Sequence, residues 1–392
     1  MFFKCTRTIF FVIVTVSFIP LNKASEEILQ DDPVEETTVQ EVNAVTENPE
    51  MEINTSTSSP ACECVPYYIC KDGSIIDNGI GIIDRRIKTC SDSLEVCCGA
   101  ENITQAPKPI PRGQPKDCGY RNVDGVGFRI ENADNEAAFG EFPWMVAICP
   151  SESTEDAENE VNYQCGGALI HPQVVVTAAH CIKNQSLELK IRAGEWDTQS
   201  KNELLPYQER DVASVTIHPQ YSSGPLYNDI ALLFLKEPVE LDEHINVVCL
   251  PPQDTVVDDA MCVSSGWGKH VFGKKELPQV ILKKIELPMV PRGQCQEKLR
   301  KTRLGKYFKL HKSFVCAGGD EGIDTCTGDG GSPLVCPIQD QKNRYFQAGI
   351  VAWGISCGLT DVPGVYVNIA LFRSWIDREL ESKNLNISIY QF

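Results

Sequence analysis

The distribution of cysteines constrains the fold of this chain more than any other feature of its sequence. The chain has 392 residues and 18 cysteines. Six of them fall within fewer than forty residues: Cys62, Cys64, Cys70, Cys90, Cys97 and Cys98. So short a segment cannot build a stable core without cross-links. Zinc is the alternative, but the segment contains no histidine and no paired CxxC motifs. We therefore predict a small disulfide-rich domain over residues 61–99.

The N-terminus predicts export to an oxidising compartment. Lys4 and Arg7 precede an apolar run from Ile9 to Phe18, and small residues follow at Ala24 and Ser25. This pattern predicts a signal peptide over residues 1–25, with an uncleaved anchor as the alternative. Cys5 would leave with the signal, so an odd number of cysteines would remain in the secreted protein. Four glycosylation sequons also fit the secretory route: Asn54, Asn102, Asn184 and Asn386.

Composition divides the rest of the chain. Residues 26–60 contain ten Asp or Glu and no Lys or Arg, which predicts a disordered acidic spacer. This segment carries much of the net charge of −18, and the charge argues against nucleic acid as a partner. Residues 100–129 are rich in proline and predict an extended linker. No segment after the signal is apolar enough to cross a membrane.

From Cys118 onward, short apolar runs alternate with Gly, Pro, Asn and Asp. This texture predicts an all-β barrel or sandwich. The exception is the stretch ALFRSWIDRELE, in which Leu371, Trp375, Ile376 and Leu380 recur at helical spacing. We expect an amphipathic helix there, ending a domain over residues 130–385, and a short tail over residues 386–392.

Three positions in this domain match the parts of a serine acyl-transfer site, which needs a hydroxyl, an imidazole and a buried carboxylate. His180 ends the apolar run VVVTAAHC, and Asp229 precedes the run IALLFL. Taken alone, Asp229 also fits a turn or capping residue. The stretch DTCTGDGGSPLVC, residues 324–336, is close to the nucleophile motif GDSGGP. It has Gly330 in the serine position, and Ser332 follows two residues later.

The ordered motifs FPWMVAI, CGGALI, TAAHC, NDIALL, GWGK, CAGG, GDGGSP and PGVYVN resemble the chymotrypsin-like serine proteases over residues 118–385. The resemblance implies an all-β fold of two six-stranded antiparallel barrels with a cleft between them and a C-terminal helix. The six-cysteine segment resembles the clip domain of arthropod proteases. Together with Gly330, the chain resembles the clip-domain serine protease homologues of the masquerade type, which are not enzymes.

Without a side chain at Gly330, no hydroxyl can attack a substrate. The amides of Gly328 and Gly330 would keep an oxyanion hole, but such remnants supply only about 10³–10⁴ over water. Ser332 is the alternative nucleophile. A misplacement of about 1 Å can already cost about a hundredfold, and we expect Ser332 to face away from the cleft. We therefore predict that the chain has no protease activity.

The resemblance assigns further residues around the site. Asp324 matches the floor of a trypsin-like specificity pocket, with Gly354 and Gly364 as its walls, and this pocket is either a relic or still holds an Arg or Lys side chain. Asp329 matches the acid that pairs with a new N-terminus after activation. Four bonds are candidates for that cleavage, and the sequence does not rank them: Arg86, Arg112, Arg121 and Arg129.

The resemblance also implies the cross-links and a metal site. The expected disulfides are Cys62–Cys97, Cys64–Cys90, Cys70–Cys98, Cys118–Cys249, Cys165–Cys181, Cys262–Cys336, Cys295–Cys316 and Cys326–Cys357. Cys118 would tether the linker to the barrels. Cys149 is left over, and it is either buried, bonded to a second chain, or evidence that one pair is misassigned. Glu195 and Glu209 end a loop that matches a calcium loop, so we predict a Ca²⁺ site there, with ordinary surface carboxylates as the alternative.

The function implied is that of a cofactor in haemolymph. After cleavage by an upstream clip-domain protease, the protein would bind prophenoloxidase or phenoloxidase and promote melanin formation in innate immunity. Whether it forms a homo-oligomer after cleavage stays open. Two alternatives remain: a recognition or adhesion protein for microbial surfaces or matrix, and an active trypsin-like protease that uses Ser332. We expect neither nucleic acid nor a membrane among its partners.

Overall fold

A computed structural model describes the chain in segments: residues 62–66, 69–70, 81–84, 90, 95–103, 117–126, 128–131, 135–151, 163–182, 188–198, 203–268, 281–319, 329–355 and 360–392. For Cys62, Gly81–Asp84 and Phe128–Glu131 it describes the backbone only. The predicted signal peptide and acidic spacer lie outside these segments. Within them, no helix combines the length and apolarity that a membrane span requires.

The six-cysteine segment forms a small antiparallel sheet. The first four strands are β1 (Cys62–Pro66), β2 (Gly81–Asp84), β3 (Glu95–Gly99) and β4 (Phe128–Glu131). β1 pairs with β3, and Val65, Cys70 and Cys98 form a minor buried core beside them. Because two of the three core residues are disulfide-bonded cysteines, cross-links replace much of the apolar burial here. β2 pairs in parallel with β4.

The first large sheet closes into a six-stranded antiparallel barrel. Its strands are β5 (Met145–Pro150), β6 (Cys165–His171), β7 (Val174–Thr177), β8 (Leu189–Ala193), β9 (Gln208–Ile217) and β10 (Ala231–Leu235). The apolar runs VVVT and ALLFL become β7 and β10, which pair and are fully buried. β8 alternates buried and half-buried residues, as expected for a strand with one face in the core.

The second large sheet also closes into a six-stranded antiparallel barrel. Its strands are β11 (Met261–Gly266), β12 (Lys283–Val290), β13 (Phe314–Ala317), β14 (Pro333–Pro337), β15 (Tyr345–Trp353) and β16 (Gly364–Asn368). The backbone N–H of Gly166 in β6 donates to the carbonyl of Gly330, just before β14, at 3.0 Å. This bond joins the two barrels at the candidate site. The predicted double-barrel fold is confirmed.

Among the described residues, two α-helices accompany the barrels. The predicted C-terminal helix is α2 (Ile369–Ser382), which buries Phe372, Trp375 and Ile376 against the core. The other, α1 (Arg292–Arg300), was not predicted. Its sequence RGQCQEKLR is mostly polar, and it buries only Cys295 and Leu299, so it lacks a clear apolar stripe.

Candidate functional site

His180 and Asp229 form the expected imidazole–carboxylate pair. His180 lies in a 3₁₀ turn (Ala179–Cys181) directly after β7, and Asp229 lies just before β10, the neighbouring strand of the same barrel. Asp229 is fully buried. Its Oδ1 accepts from the backbone N–H of His180 at 2.7 Å, and its Oδ2 lies 2.6 Å from Nδ1 of the ring. This pairing fixes the orientation of the imidazole and leaves Nε2 facing the second barrel.

Gly330 lies directly beside that Nε2 atom. A Cβ added to Gly330 would be 2.7 Å from Nε2 and 3.4 Å from Cε1 of His180. Real Cβ atoms essentially never lie within 3.0 Å of a heavy atom outside their own and the adjacent residues, so no side chain fits here unless His180 moves. The imidazole therefore fills the space that a nucleophilic side chain would need, and the position offers it no hydroxyl.

Ser332, the alternative nucleophile, faces the interior. It is fully buried, and its Oγ packs against Gly166 of β6 and Gly266 of β11. Its backbone belongs to the turn that begins β14, where its N–H donates to the carbonyl of Asp329 at 2.9 Å. A hydroxyl held in the core cannot reach a substrate in the cleft. The arrangement agrees with the prediction that Ser332 faces away.

Asp329 is engaged with the second barrel. Its Oδ1 accepts from the backbone N–H of Gly268 at 2.8 Å, and its carboxylate packs closely over Gly266 and Gly268. Burial, together with the negative charge of Asp329, raises the pKa of the neighbouring Tyr163 hydroxyl. The Asp329 carboxylate is therefore already hydrogen-bonded to the backbone of the second barrel.

The specificity-pocket residues are only partly described. Gly364 begins β16 and pairs with Ala317 of β13, and Gly354 follows the end of β15. A Cβ at Gly354 would meet nothing within 4 Å, so the wall there is open. Asp324, the predicted floor, and Gly328, the other oxyanion-hole residue, lie outside the described residues. Whether this pocket is a relic or still holds an Arg or Lys side chain stays open.

In the predicted calcium loop, the guanidinium of Arg192 lies between Glu195 and Glu209. Arg192 of β8 donates through Nη1 to Glu195 Oε2 at 3.2 Å and through Nε to Glu209 Oε2 at 3.1 Å. Lys190 donates to the other oxygen of Glu209 at 2.9 Å. In this arrangement the two glutamates do not fit Ca²⁺, because a guanidinium already lies between them. The sequence-based prediction of Ca²⁺ binding at Glu195 and Glu209 is untested, and the position of Arg192 argues against it.

A third carboxylate, missed in the sequence, lies behind this pair. Glu203 is buried, and its Oε1 accepts from the backbone N–H groups of Trp196 at 3.2 Å and Asp197 at 3.0 Å. Burial, and then the charge of Glu195, raise the pKa of Glu203. Burial also raises the pKa of Glu195, although Arg192 opposes that change. Two buried carboxylates this close favour holding a proton between them.

Six of the expected disulfides are present in the described residues: Cys64–Cys90, Cys70–Cys98, Cys118–Cys249, Cys165–Cys181, Cys262–Cys336 and Cys295–Cys316. Cys97 is also disulfide-bonded, while its expected partner Cys62 is described by its backbone only. Cys326 and Cys357 lie outside the described residues. The sulfurs of Cys165 and Cys181 lie close to His180, but they are bonded to each other and so are not metal ligands.

Cys149 of β5 is a free, buried thiol. Burial raises its pKa to about 11. Of the three alternatives left open by the sequence, the structure favours the first, a buried residue. A thiol that stays protonated reacts poorly with other sulfurs, so a disulfide to a second chain is disfavoured.

The candidate cleavage and glycosylation positions differ in how much the structure says about them. Arg121 is held by Glu141, with Nε–Oε1 at 2.9 Å and Nη2–Oε1 at 2.6 Å, and its side chain is 8% exposed. This ion pair disfavours Arg121 as a cleavage site, because a protease pocket has to take up the guanidinium. Arg129 lies in β4, opposite Ile82 of β2. Outside the described residues lie Arg86, Arg112, Asn54 and Asn184.

The two remaining sequons are described. Asn102 ends a 3₁₀ turn (Ala100–Asn102) and is half-buried. Asn386 is exposed, and its Oδ1 accepts from the backbone N–H of Ser388 at 3.0 Å. Of the two, Asn386 has the more accessible side chain.

Comparisons with known proteins match both parts of the chain. The trypsin family model matches residues 132–376, and the model for the serine protease clip domain of the PPAF-2 type matches residues 51–99. The chain is 53% identical over 298 residues to phenoloxidase-activating factor 2 of Galleria mellonella, covering 74% of this chain and 98% of that protein.

Two similar proteins of Anopheles gambiae are named inactive. Inactive CLIP domain-containing serine protease A8 is 39% identical, covering 82% of this chain and 89% of that protein. Inactive CLIP domain-containing serine protease A28 is 38% identical, covering 84% of this chain and 91% of that protein.

Proposed function

Because the chain belongs to the trypsin family, among the clip-domain serine protease homologues, we propose that it is a secreted, non-catalytic cofactor of arthropod innate immunity. After cleavage by an upstream clip-domain protease, it binds prophenoloxidase or phenoloxidase in haemolymph and promotes melanin formation. The observation that carries this proposal is the contact between His180 and Gly330. A Cβ at Gly330 would lie 2.7 Å from Nε2, so the imidazole occupies the space that a nucleophilic side chain would need.

Loss of catalysis follows from the arrangement of three residues. His180 keeps its carboxylate partner, Gly330 supplies no hydroxyl, and Ser332 is buried. Removing the serine from such a site leaves only about 10³–10⁴ over the uncatalysed reaction, far below the rate of a working protease. The names of the two inactive mosquito proteins support the same conclusion.

A barrel domain without catalysis still offers a rigid, shaped surface. The two barrels share one large core, and disulfides hold the loops around the site. A rigid surface binds a partner without a large entropic cost of ordering. The name of the similar Galleria protein, phenoloxidase-activating factor 2, supports phenoloxidase as the system in which that surface acts.

The proposal is tested by reconstitution. Purified protein is cleaved with the upstream protease and added to processed prophenoloxidase, and oxidation of a diphenol is followed. We expect cleaved protein to raise the activity and His180→Ala to raise it equally, because the imidazole has no catalytic task. An unchanged diphenol oxidation rate with cleaved protein contradicts the cofactor function. Hydrolysis of an Arg-peptide substrate that is lost in Ser332→Ala contradicts the absence of catalysis.

A further inference from the structure

A dense group of positive charges lies between α1 and β13 of the second barrel. We call residues 298–312 the basic segment; it runs from the end of α1 into the loop before β13. It contains seven of the chain's 36 Lys and Arg and no Asp or Glu, in a protein of net charge −18. Like charges placed this close repel one another, so their concentration does not serve stability.

Three of the seven cations have acidic partners. Lys298 lies 3.0 Å and Lys301 3.9 Å from the carboxylate of Asp361, and Arg300 lies 2.7 Å from Glu297. The remaining four are all exposed, and no described residue forms an ion pair with them: Arg303, Lys306, Lys309 and Lys312. These four cations are available to a partner.

An exposed aromatic residue lies among these cations. Tyr307 is 84% exposed, the highest value among the large apolar side chains that the structure describes. The Lys306 ammonium lies 5.1 Å from the centre of its ring. Tyrosine and arginine are enriched at the centres of protein–protein interfaces, where tyrosine contributes contact area at little entropic cost.

A disulfide, a hydrogen bond and an aromatic contact hold the basic segment in place. The Cys295–Cys316 disulfide closes it, and Arg300 Nε donates to the Phe308 carbonyl at 2.8 Å. Phe308 packs edge-on against Trp353, with ring centroids 6.3 Å apart. A loop tied down in this way presents its side chains in a preorganised arrangement, which lowers the entropic cost of binding.

We propose that the basic segment is a docking surface for an acidic segment of a partner protein. The surface combines unpaired cations with one exposed aromatic ring on a rigid support. An acidic polypeptide can pair with the cations while an apolar side chain of its own packs on Tyr307. A sulfated glycan or an anionic membrane would use the cations alone, and a single exposed ring offers little apolar area for insertion into a bilayer.

The test measures binding of a labelled synthetic peptide of about twenty Glu, Asp and Leu residues to the full chain, with a Gln/Asn version of the peptide as reference. The first variant combines Lys306→Glu, Lys309→Glu and Lys312→Glu. The second is Tyr307→Ala, which leaves the charge unchanged. The matched control combines Lys342→Glu, Arg378→Glu and Lys383→Glu, which reverse three cations that are exposed elsewhere. Circular dichroism and Tm establish that each variant is folded.

We expect the triple variant to bind the acidic peptide about 10-fold or more weakly, with loss of the salt dependence of association. Tyr307→Ala should bind about 3-fold more weakly, and the control should stay within about 2-fold of the natural protein. Equal loss in the control variant overturns the proposal, as does the absence of any binding to the peptide. It is also overturned if heparin or phosphatidylserine vesicles bind more tightly than the peptide and Tyr307→Ala has no effect. Because no phenoloxidase is present, this test can fail without bearing on the cofactor function.

Discussion

Replacement of Arg192 by glutamine should convert a metal-independent loop into a calcium-dependent one. Arg192 connects the buried Glu195, whose side chain is 1% exposed, with the partly exposed Glu209. Glutamine keeps most of the length of the side chain but removes its charge. The two glutamates, together with Glu203 behind them, then form an uncompensated group of carboxylates.

The magnitude follows from the geometry. At the 3.2 Å separation of Arg192 and Glu195, an effective dielectric constant near 20 gives a Coulomb energy of about 5 kcal/mol. The Arg192 side chain is 20% exposed, and Glu195 can take up a proton once its partner is gone. Solvent screening and protonation therefore reduce the expected loss to about 2–3 kcal/mol. For a domain of this size, that lowers the Tm by roughly 4–12 °C.

Calcium should restore what the substitution removes. Extracellular calcium sites bind with dissociation constants of about 10⁻⁴–10⁻³ M. At about 10 mM Ca²⁺, a site of about 0.1 mM affinity stabilises the native state by about 2.7 kcal/mol. We thus expect Arg192→Gln to regain most of its Tm in calcium, and the natural protein to have the same Tm in calcium and in chelator.

The assay is differential scanning calorimetry near pH 7.5, with calcium or EDTA, and with Arg192→Lys as the control that keeps a positive charge. If EDTA lowers the Tm of the natural protein by several degrees, the guanidinium does not replace the metal and the reasoning fails. It also fails if Arg192→Gln is as stable as the natural protein in EDTA.

Three further outcomes are expected. Gly330→Ala should lower the free energy of unfolding by about 1–3 kcal/mol, because its Cβ would displace His180. Gly354→Ala should leave the free energy of unfolding nearly unchanged, because a Cβ there meets nothing within 4 Å. Chemical denaturation measures both, and equal effects would contradict the close contact at Nε2. Glu203→Gln should flatten the dependence of stability on pH. Because its pKa is raised in the folded state, Glu203 holds its proton there at pH values at which it has lost it in the unfolded state. Its contribution to stability is therefore greatest below the ordinary carboxyl range and falls as pH rises toward the raised pKa. Urea titrations between about pH 5 and pH 9 measure this, and stability that rises with pH in the natural protein would refute it. Cys149, with its pKa raised to about 11, should react with a thiol reagent near pH 8 only after unfolding, and Cys149→Ser should remove that reaction; rapid labelling of the native protein would contradict its burial.

The fold was largely predictable because its signals are local and ordered along the chain. The runs VVVT and ALLFL predicted buried strands, and they became β7 and β10. The spacing of Trp375, Ile376 and Leu380 predicted α2. α1 was missed because a disulfide and backbone contacts hold it in place of an apolar stripe, and such contacts leave no periodic pattern.

The site was predictable in its membership but not in its geometry. The motifs identify His180, Asp229 and Gly330, yet nothing in the sequence tells how near the imidazole lies to the glycine. Arg192 was missed because it faces Glu209 across the β8–β9 pair, and that register depends on two strands separated by a long loop. Charge pairing across strands needs the register, which a single sequence does not contain.

The disulfides sort the candidate cuts into two classes. The Cys64–Cys90 disulfide spans Arg86, and the Cys118–Cys249 disulfide spans Arg129. Cleavage of the peptide bond after either arginine therefore leaves two pieces that are still joined covalently. Arg112 lies between Cys98 and Cys118, a stretch that no disulfide of the described residues crosses. A break there would leave the two pieces without a covalent link, so that only noncovalent contacts such as the β2–β4 pairing would hold them together. The choice of bond thus decides whether processing loosens the protein or splits it, and electrophoresis with and without reductant distinguishes the two.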